Sequence, residues 1–254
     1  MRRALALLAL AALPAATQAA PPFDPLHAAA IDGQAGVQIP MQVPLRDAHG
    51  RPTTLALIAG GKPVLLAPVQ HRCPNLCGYS LDGLAQRLHA TGLDRDAAVV
   101  ALGIDPRETP ADAAASAGRL AGLADAYAVV GAAPQVAALT GALGYRYAWD
   151  PRLGQYAHLA AVAVLTPDGR LSSWLYGLAP PDPVLRAAVR TAARGGLGAL
   201  GDRLTLLCYH YDPQTGRYDS RVALALKLGG AAVVLALAAF IALSLRRERR
   251  SARP

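Results

Sequence analysis

Two cysteines separated by three residues are the side chains best placed to do chemistry in this sequence. Cys73 and Cys77 occur in Cys73-Pro-Asn-Leu-Cys77, between an apolar run and a predicted helix. Pro74 disfavours helical geometry at Cys73 and suits the first helical position, so Cys73 is a candidate N-cap with Cys77 one turn later. A helix N-terminus favours thiolate over thiol. We therefore predict a reactive, redox-active pair able to form a disulfide, the alternative being a structural disulfide or two buried thiols.

A metal ion held by two thiolates alone would be exposed to exchange and oxidation, so a third ligand is expected. His158 follows a turn-like segment, Asp150-Pro-Arg-Leu-Gly154, and precedes an apolar predicted strand. A loop before such a strand can reach the N-terminus of the first long helix. The alternative for His158 is an ordinary surface or packed histidine. His71 is a further imidazole two residues before Cys73, and it is either a competing ligand or a residue at the rim of the site.

The third cysteine lies near the C-terminus. Cys208 and His210 are two residues apart, so they would share one face of a strand and could hold one metal ion. The alternative is a membrane-proximal strand and turn whose tyrosines sit near the interface. A thiol left over outside the cytoplasm could also pair between molecules.

The elements that position these residues alternate between strand and helix. Strands are predicted over 64–69, 97–104, 126–130, 145–149, 160–166 and 171–176, and helices over 74–89, 110–124, 134–143 and 183–193. A short hairpin is predicted with arms over 42–46 and 52–58 and a turn at 47–50. This order predicts an α/β sandwich with a mixed central sheet. Phosphate-binding glycine loops, serine nucleophile elbows and H-E-x-x-H motifs are absent from the sequence.

Charge and hydropathy indicate that the two ends of the chain are directed to the membrane. The 254 residues are 53% hydrophobic, with a mean hydropathy of +0.26 and a formal net charge of +8. Most of the excess charge lies at the two ends and forms no basic stripe, so nucleic-acid binding is not expected. Residues 1–19 are typical of a signal peptide, and 228–245 form an uncharged apolar stretch followed by an arginine-rich tail, 246–254.

We therefore expect a single-pass protein of the cytoplasmic membrane, with its C-terminus in the cytoplasm and its domain on the outer, periplasmic face. The expected organisation between these ends is an extended arm over 20–40, a domain over 41–194 and a membrane-proximal segment over 195–227.

Three motifs in order resemble the SCO/SenC family of membrane-tethered copper chaperones for cytochrome oxidase assembly, in its bacterial subgroup with a C-terminal anchor. The first is Gly61-Lys-Pro-Val-Leu-Leu66 leading into the two cysteines. The second is Asp105-Pro-Arg-Glu-Thr-Pro110, similar to D-P-x-x-D-T-P, with Glu108 where the family usually has aspartate. The third runs from Asp150 to His158 and continues into a strand and Thr166-Pro-Asp-Gly169.

The resemblance implies a thioredoxin-like fold and a copper site. It makes Cys73, Cys77 and His158 the ligands for Cu(I) or Cu(II), and it makes Asp105 a candidate for supporting them. The implied function is a metallochaperone, not an enzyme, that delivers copper to the copper-centre subunit of a respiratory oxidase. A second periplasmic copper chaperone or a thiol reductant would be a further partner.

The same dithiol leaves a second function open. A membrane-tethered thiol–disulfide oxidoreductase would reduce client cysteines before metallation, and His158 would then be dispensable or would only tune a thiol pKa. A peroxidase is a weaker alternative, because peroxide reduction usually needs a single protected cysteine in a T-x-x-C setting.

Overall fold

The computed structural model describes residue 24, residues 28–73 and 77–198, and residues 228, 230, 231, 233–235 and 237. The predicted signal peptide, the Cys208 and His210 pair and the basic tail lie outside the described residues, as do residues 74–76 and the side chain of Cys77. The described residues between 228 and 237 are helical. Across the described part of the chain, no helix combines the length and the apolar character that crossing a membrane requires.

The described domain alternates strands and helices. Its strands are β1 (Ala30–Ile31), β2 (Leu45–Asp47), β3 (Pro52–Thr53), β4 (Val64–Val69), β5 (Ala98–Gly103), β6 (Ala126–Val130), β7 (Tyr145–Arg146), β8 (Ala148–Asp150), β9 (Gln155–Ala157), β10 (Ala161–Leu165) and β11 (Leu171–Tyr176). Its helices are α1 (Leu55–Ala59), α2 (Cys77–Thr91), α3 (Pro110–Arg119), α4 (Ala133–Ala142) and α5 (Asp182–Ala193).

Seven strands form one mixed sheet in the order β11-β10-β4-β5-β6-β2-β3. β4, β5 and β6 are parallel, and the other neighbouring pairs are antiparallel. Two further pairs, β1 with β7 and β8 with β9, lie outside this sheet. The predicted mixed α/β sheet is therefore confirmed.

Side-chain alternation along β4 explains why helices cover both faces of the sheet. Leu65 belongs to a buried cluster that also contains residues of α2, α3 and α5, whereas Leu66 belongs to a second cluster with residues of α1 and α4. Successive side chains of a strand point to opposite faces, so the sheet is covered on both sides. All residues of β4, β5 and β10 are buried, as expected for strands in the middle of such a sandwich.

Two local predictions are corrected. The second arm of the hairpin around 47–50 is only Pro52–Thr53, because Thr54 caps a helix instead of continuing the strand. The Thr54 hydroxyl accepts a hydrogen bond from the Leu57 N–H at 3.2 Å, and α1 begins at Leu55. The strand predicted over 145–149 is divided into β7 and β8, and β8 pairs with a strand that the pattern did not predict, β9.

The arm expected over 20–40 is part of the domain from about residue 28 onward. β1 pairs with β7, and the Ile39 N–H donates to the Gly169 carbonyl at 2.9 Å. Ile31 and Ile39 are buried in the cluster on the α1 and α4 side of the sheet. Burial of these two large apolar side chains explains why this segment packs against the domain.

We expect Gly33→Ala to lower the free energy of unfolding by about 1–3 kcal/mol, the range for a group forced into a packed interior. An added Cβ at Gly33 would lie 2.1 Å from the Leu143 carbonyl oxygen, a backbone atom that cannot simply move aside. Gly118→Ala is the matched control, because nothing lies within 4 Å of its added Cβ. Urea denaturation of the full-length variants measures both effects, and equal stability of the two would contradict the close packing of the arm.

Candidate metal centre

The loop after β4 carries Cys73. The Cys73 N–H donates to the Gln70 carbonyl at 3.0 Å, which makes a tight turn directly after the strand. The Cys73 side chain is half-buried and packs against the cluster on the α2 side of the sheet. α2 begins at Cys77. The N-cap role of Cys73 stays a prediction because residues 74–76 lie outside the described residues.

His158 lies between β9 and β10, beside the first turns of α2. It lines a small pocket together with Val69 at the end of β4 and with Ser80 and Leu81 in α2. His158 therefore shares a pocket with residues of the first turns of α2, and its approach to the two cysteines stays a prediction. Because β10 runs antiparallel to β4, His158 and residues 70–73 lie at the same end of the sheet.

The protonation state of His158 follows from its surroundings. Burial lowers the pKa of the imidazole, and a hydrogen bond to the Leu159 carbonyl only partly opposes this effect. The ring is therefore neutral at neutral pH, which is the form that binds metal ions. Its Nδ1 lies 3.0 Å from the Tyr145 hydroxyl oxygen and 3.3 Å from the Leu159 carbonyl oxygen.

A buried amide joins the two loops. The Gln70 Oε1 accepts a hydrogen bond from the Tyr156 N–H at 3.2 Å, linking the end of β4 to β9, two residues before His158. Gln70 is 7% exposed. Sequence reasoning missed this residue, although a glutamine directly after a wholly apolar strand is an available signal.

The turn before β9 is held by a buried carboxylate. The Asp150 side chain accepts hydrogen bonds from the Arg152 N–H at 2.9 Å and from its guanidinium at 3.2 Å. The Arg152 side-chain hydrogen bond is the largest of the effects that lower the pKa of Asp150. This arrangement stabilises the turn from which β9 and then His158 follow.

Asp105 has the same arrangement at the end of β5. It accepts from the Arg107 N–H at 3.0 Å and from two guanidinium nitrogens at 2.8 Å. Burial by itself would raise the pKa of Asp105, but these bonds lower it below its usual value. Asp105 also lies 3.6 Å from the guanidinium of Arg72, the neighbour of Cys73. Asp105 is thus placed to support the cysteine loop through Arg72.

Glu108 contacts the same loop, and sequence reasoning noted it only as a departure from the family pattern. Its Oε1 accepts the Arg72 N–H at 2.9 Å. Its Oε2 is buried and has no hydrogen-bond partner among the described residues. Burial, and secondarily the charge of Asp105, raise the pKa of Glu108 to about 7 despite the bond to Arg72.

His71 is neither a rim residue nor suited to be a ligand in this structure. It is buried, with Nδ1 2.8 Å from the Ser116 hydroxyl and Nε2 3.1 Å from the Val129 carbonyl. A carbonyl only accepts, so Nε2 carries the proton and donates while Nδ1 accepts from Ser116. Both nitrogens are therefore used inside the fold, and His71 anchors the start of the cysteine loop to α3 and β6.

Among the side chains that the structure describes, no three His, Cys, Asp or Glu residues lie close enough together to hold a metal ion. The expected set of Cys73, Cys77 and His158 includes one side chain outside this part of the chain, so it stays a prediction. The residue types of the predicted set would suit a soft metal ion, because thiolates and a neutral imidazole are soft or borderline donors.

Among the comparisons with known proteins, only solved structures gave matches. No family model and no curated protein sequence matches the chain. Arabidopsis thaliana ScoI with copper bound aligns with a TM-score of 0.52 and 16% identity, over 64% of this chain and 99% of that one. Bradyrhizobium japonicum ScoI with copper bound aligns with a TM-score of 0.50 and 23% identity, over 62% and 99%.

A third structure is BsSco, a member of the Sco family of cytochrome c oxidase assembly proteins. It aligns with a TM-score of 0.51 and 13% identity, over 64% of this chain and 97% of that one. These likenesses establish the fold class: the chain has a thioredoxin-like α/β fold with a mixed central sheet. Within that class, its fold is similar to that of the Sco proteins.

Proposed function

We propose that this chain is a copper metallochaperone that binds copper through Cys73, Cys77 and His158. The observation that carries the proposal is the position of a neutral His158 beside the first turns of α2, the helix that begins at Cys77. Thiolates prefer Cu(I), and imidazole accepts both Cu(I) and Cu(II). Three protein ligands leave a coordination position open for transfer to a partner.

The surrounding residues would hold this site in place. Gln70 joins the cysteine loop to β9, and Asp105 supports the same loop through Arg72. Cys73 is only half-buried, so a partner could reach the metal without unfolding of the domain. A chaperone needs both features, since it must keep the ion from exchange and still release it.

The client that we propose is the copper-centre subunit of a respiratory cytochrome oxidase. Two structures of similar fold are ScoI proteins with copper bound, and BsSco belongs to a family of cytochrome c oxidase assembly proteins. The apolar stretch over 228–245 and the arginines that follow it support a tether on the periplasmic face of the membrane. A tether would keep the site close to a membrane-bound client.

The test is Cu(I) binding by the anaerobically reduced full-length protein, in competition with a chromophoric chelator. We expect one tightly bound copper in the wild type and about 100-fold weaker binding in His158→Ala, since residues that only support a ligand already cost about 10–100-fold. His89→Ala is the control, because His89 is an exposed histidine at the other end of α2. Unchanged affinity in His158→Ala, or no copper binding at all, would overturn the proposal.

The second candidate function is thiol–disulfide oxidoreduction, favoured by the half-buried Cys73 in a thioredoxin-like fold. The Cys73 thiolate would attack a client disulfide, and Cys77 would then displace the client thiol. The client would leave as a dithiol and the protein as a disulfide, which an external thiol reductant would reduce. Loss of reductase activity in Cys73→Ser with full activity in His158→Ala would favour this function.

A further inference from the structure

The hydroxyl group of Tyr145 contacts both His158 and the residue after it. Tyr145 Oη lies 2.6 Å from the Leu159 carbonyl oxygen and 3.0 Å from His158 Nδ1. A carbonyl oxygen only accepts hydrogen bonds, so the single hydroxyl proton of Tyr145 is donated to Leu159. The Tyr145 oxygen can then act only as an acceptor toward the imidazole.

This arrangement determines which ring nitrogen of His158 carries the proton. Nδ1 faces the Tyr145 oxygen, which accepts, and lies 3.3 Å from the Leu159 carbonyl oxygen, which also accepts. Both neighbours therefore stabilise a proton on Nδ1. Since a neutral imidazole has one N–H, the lone pair is on Nε2.

We propose that Tyr145 is a positioning residue that selects the Nδ1-protonated tautomer of His158 and fixes its ring, so that Nε2 is the nitrogen that binds the metal. The assignment of metal binding to His158 rests on the proposed function, whereas the tautomer does not. Histidine ligands commonly donate their second ring N–H to an oxygen acceptor, which fixes the tautomer and the orientation of the ring.

Tyr145 is itself held on several sides. It is 3% exposed, its ring stacks on that of Trp174 with centroids 5.9 Å apart and planes at 19°, and Tyr147 lies against it at 6.2 Å. Its backbone is paired with Ile31 of β1. The N-terminal arm and the aromatic neighbours therefore fix the hydroxyl group, and through it the imidazole.

The first test needs neither a variant nor copper. Nitrogen-15 NMR of the metal-free full-length protein at pH 8 distinguishes the two neutral tautomers of each histidine by their ring nitrogen shifts. We expect His158 to be protonated on Nδ1 in the wild type. In Tyr145→Phe the Leu159 carbonyl is the acceptor that remains near Nδ1, so we expect the population of the Nε2-protonated form to rise above that of the wild type. A wild-type His158 protonated on Nε2 would overturn the proposal and leave the copper function standing.

The second test measures Cu(I) affinity in Tyr145→Phe, which removes the hydroxyl and keeps the ring. We expect about tenfold weaker binding, the effect typical of groups that orient a ligand. Tyr147→Phe is the matched control, because it removes a hydroxyl from a neighbouring ring whose centroid lies 6.2 Å from that of Tyr145. Wild-type affinity in Tyr145→Phe would overturn the proposal, whereas equal affinity of wild type and His158→Ala would instead contradict the proposed function.

Discussion

The Glu108→Gln variant should lose a large part of the pH dependence of stability that the wild-type protein shows. Glu108 is buried, and its pKa is raised to about 7 from an ordinary value of 4.5. Below the unfolded-state pKa the carboxyl is protonated in both states, so it contributes no pH dependence. Between pH 4.5 and 7 the folded state keeps a proton that the unfolded state releases, so stability falls as the pH rises.

A shift of this size corresponds to about 3 kcal/mol, since one pKa unit is worth about 1.4 kcal/mol. The groups around Glu108 act in both directions: Arg72 favours its ionised form, whereas Asp105 and Asp112 disfavour it. The glutamine amide can still accept the Arg72 N–H through Oε1 but carries no charge. As the pH rises from 5 to 8, the wild type should therefore lose about 3 kcal/mol of unfolding free energy relative to the variant.

The measurement is urea denaturation of both full-length proteins at several pH values. A comparison across pH removes any constant cost of the amide, which would affect both ends of the range equally. Asp96→Asn is the control, because Asp96 is an exposed carboxylate in a loop. A Glu108→Gln curve parallel to that of the wild type would show that Glu108 is ionised in the folded protein throughout this range.

Replacement of Leu66 by alanine is expected to lower the free energy of unfolding by about 2–5 kcal/mol, the range for truncation of a buried leucine. Leu66 is completely buried in β4, with Val100 of β5 on one side and Ala163 of β10 on the other. Its side chain belongs to the cluster on the α1 and α4 side of the sheet. Both flanking strands are part of the central sheet, so the cavity has little room to collapse.

Leu57→Ala is the matched control for this prediction. Leu57 is 73% exposed in α1, so the same truncation removes few contacts, and the change should stay within about 0.5 kcal/mol. Thermal and urea unfolding of both variants measure the difference. Equal stability of Leu66→Ala and Leu57→Ala would be inconsistent with a packed two-sided sheet.

Much of the fold could be predicted from local pattern. The apolar run at 64–69 and the alternation of strands and helices after it predicted the mixed sheet, because burial on both faces requires continuous apolar residues. The errors occurred where local signals conflict. At Thr54 the helix cap ended a strand that the sequence pattern would have continued. In the N-terminal segment, burial of Ile31 and Ile39 attaches to the domain a stretch whose proline, alanine and glycine content is typical of a linker.

For the candidate site too, some features could be predicted from the sequence and others only from the tertiary structure. Sequence alone determined the positions of Cys73, Cys77 and His158 as candidates, because residue type and neighbouring motifs are local properties. Only the tertiary structure decided that His71 is an anchor inside the fold and that Glu108 is buried with its pKa raised. It also joined Tyr145 to His158 and Gln70 to Tyr156, contacts that hold the loops of the site. These pairings depend on how strands distant in sequence are placed side by side, and no local pattern of residues records that placement.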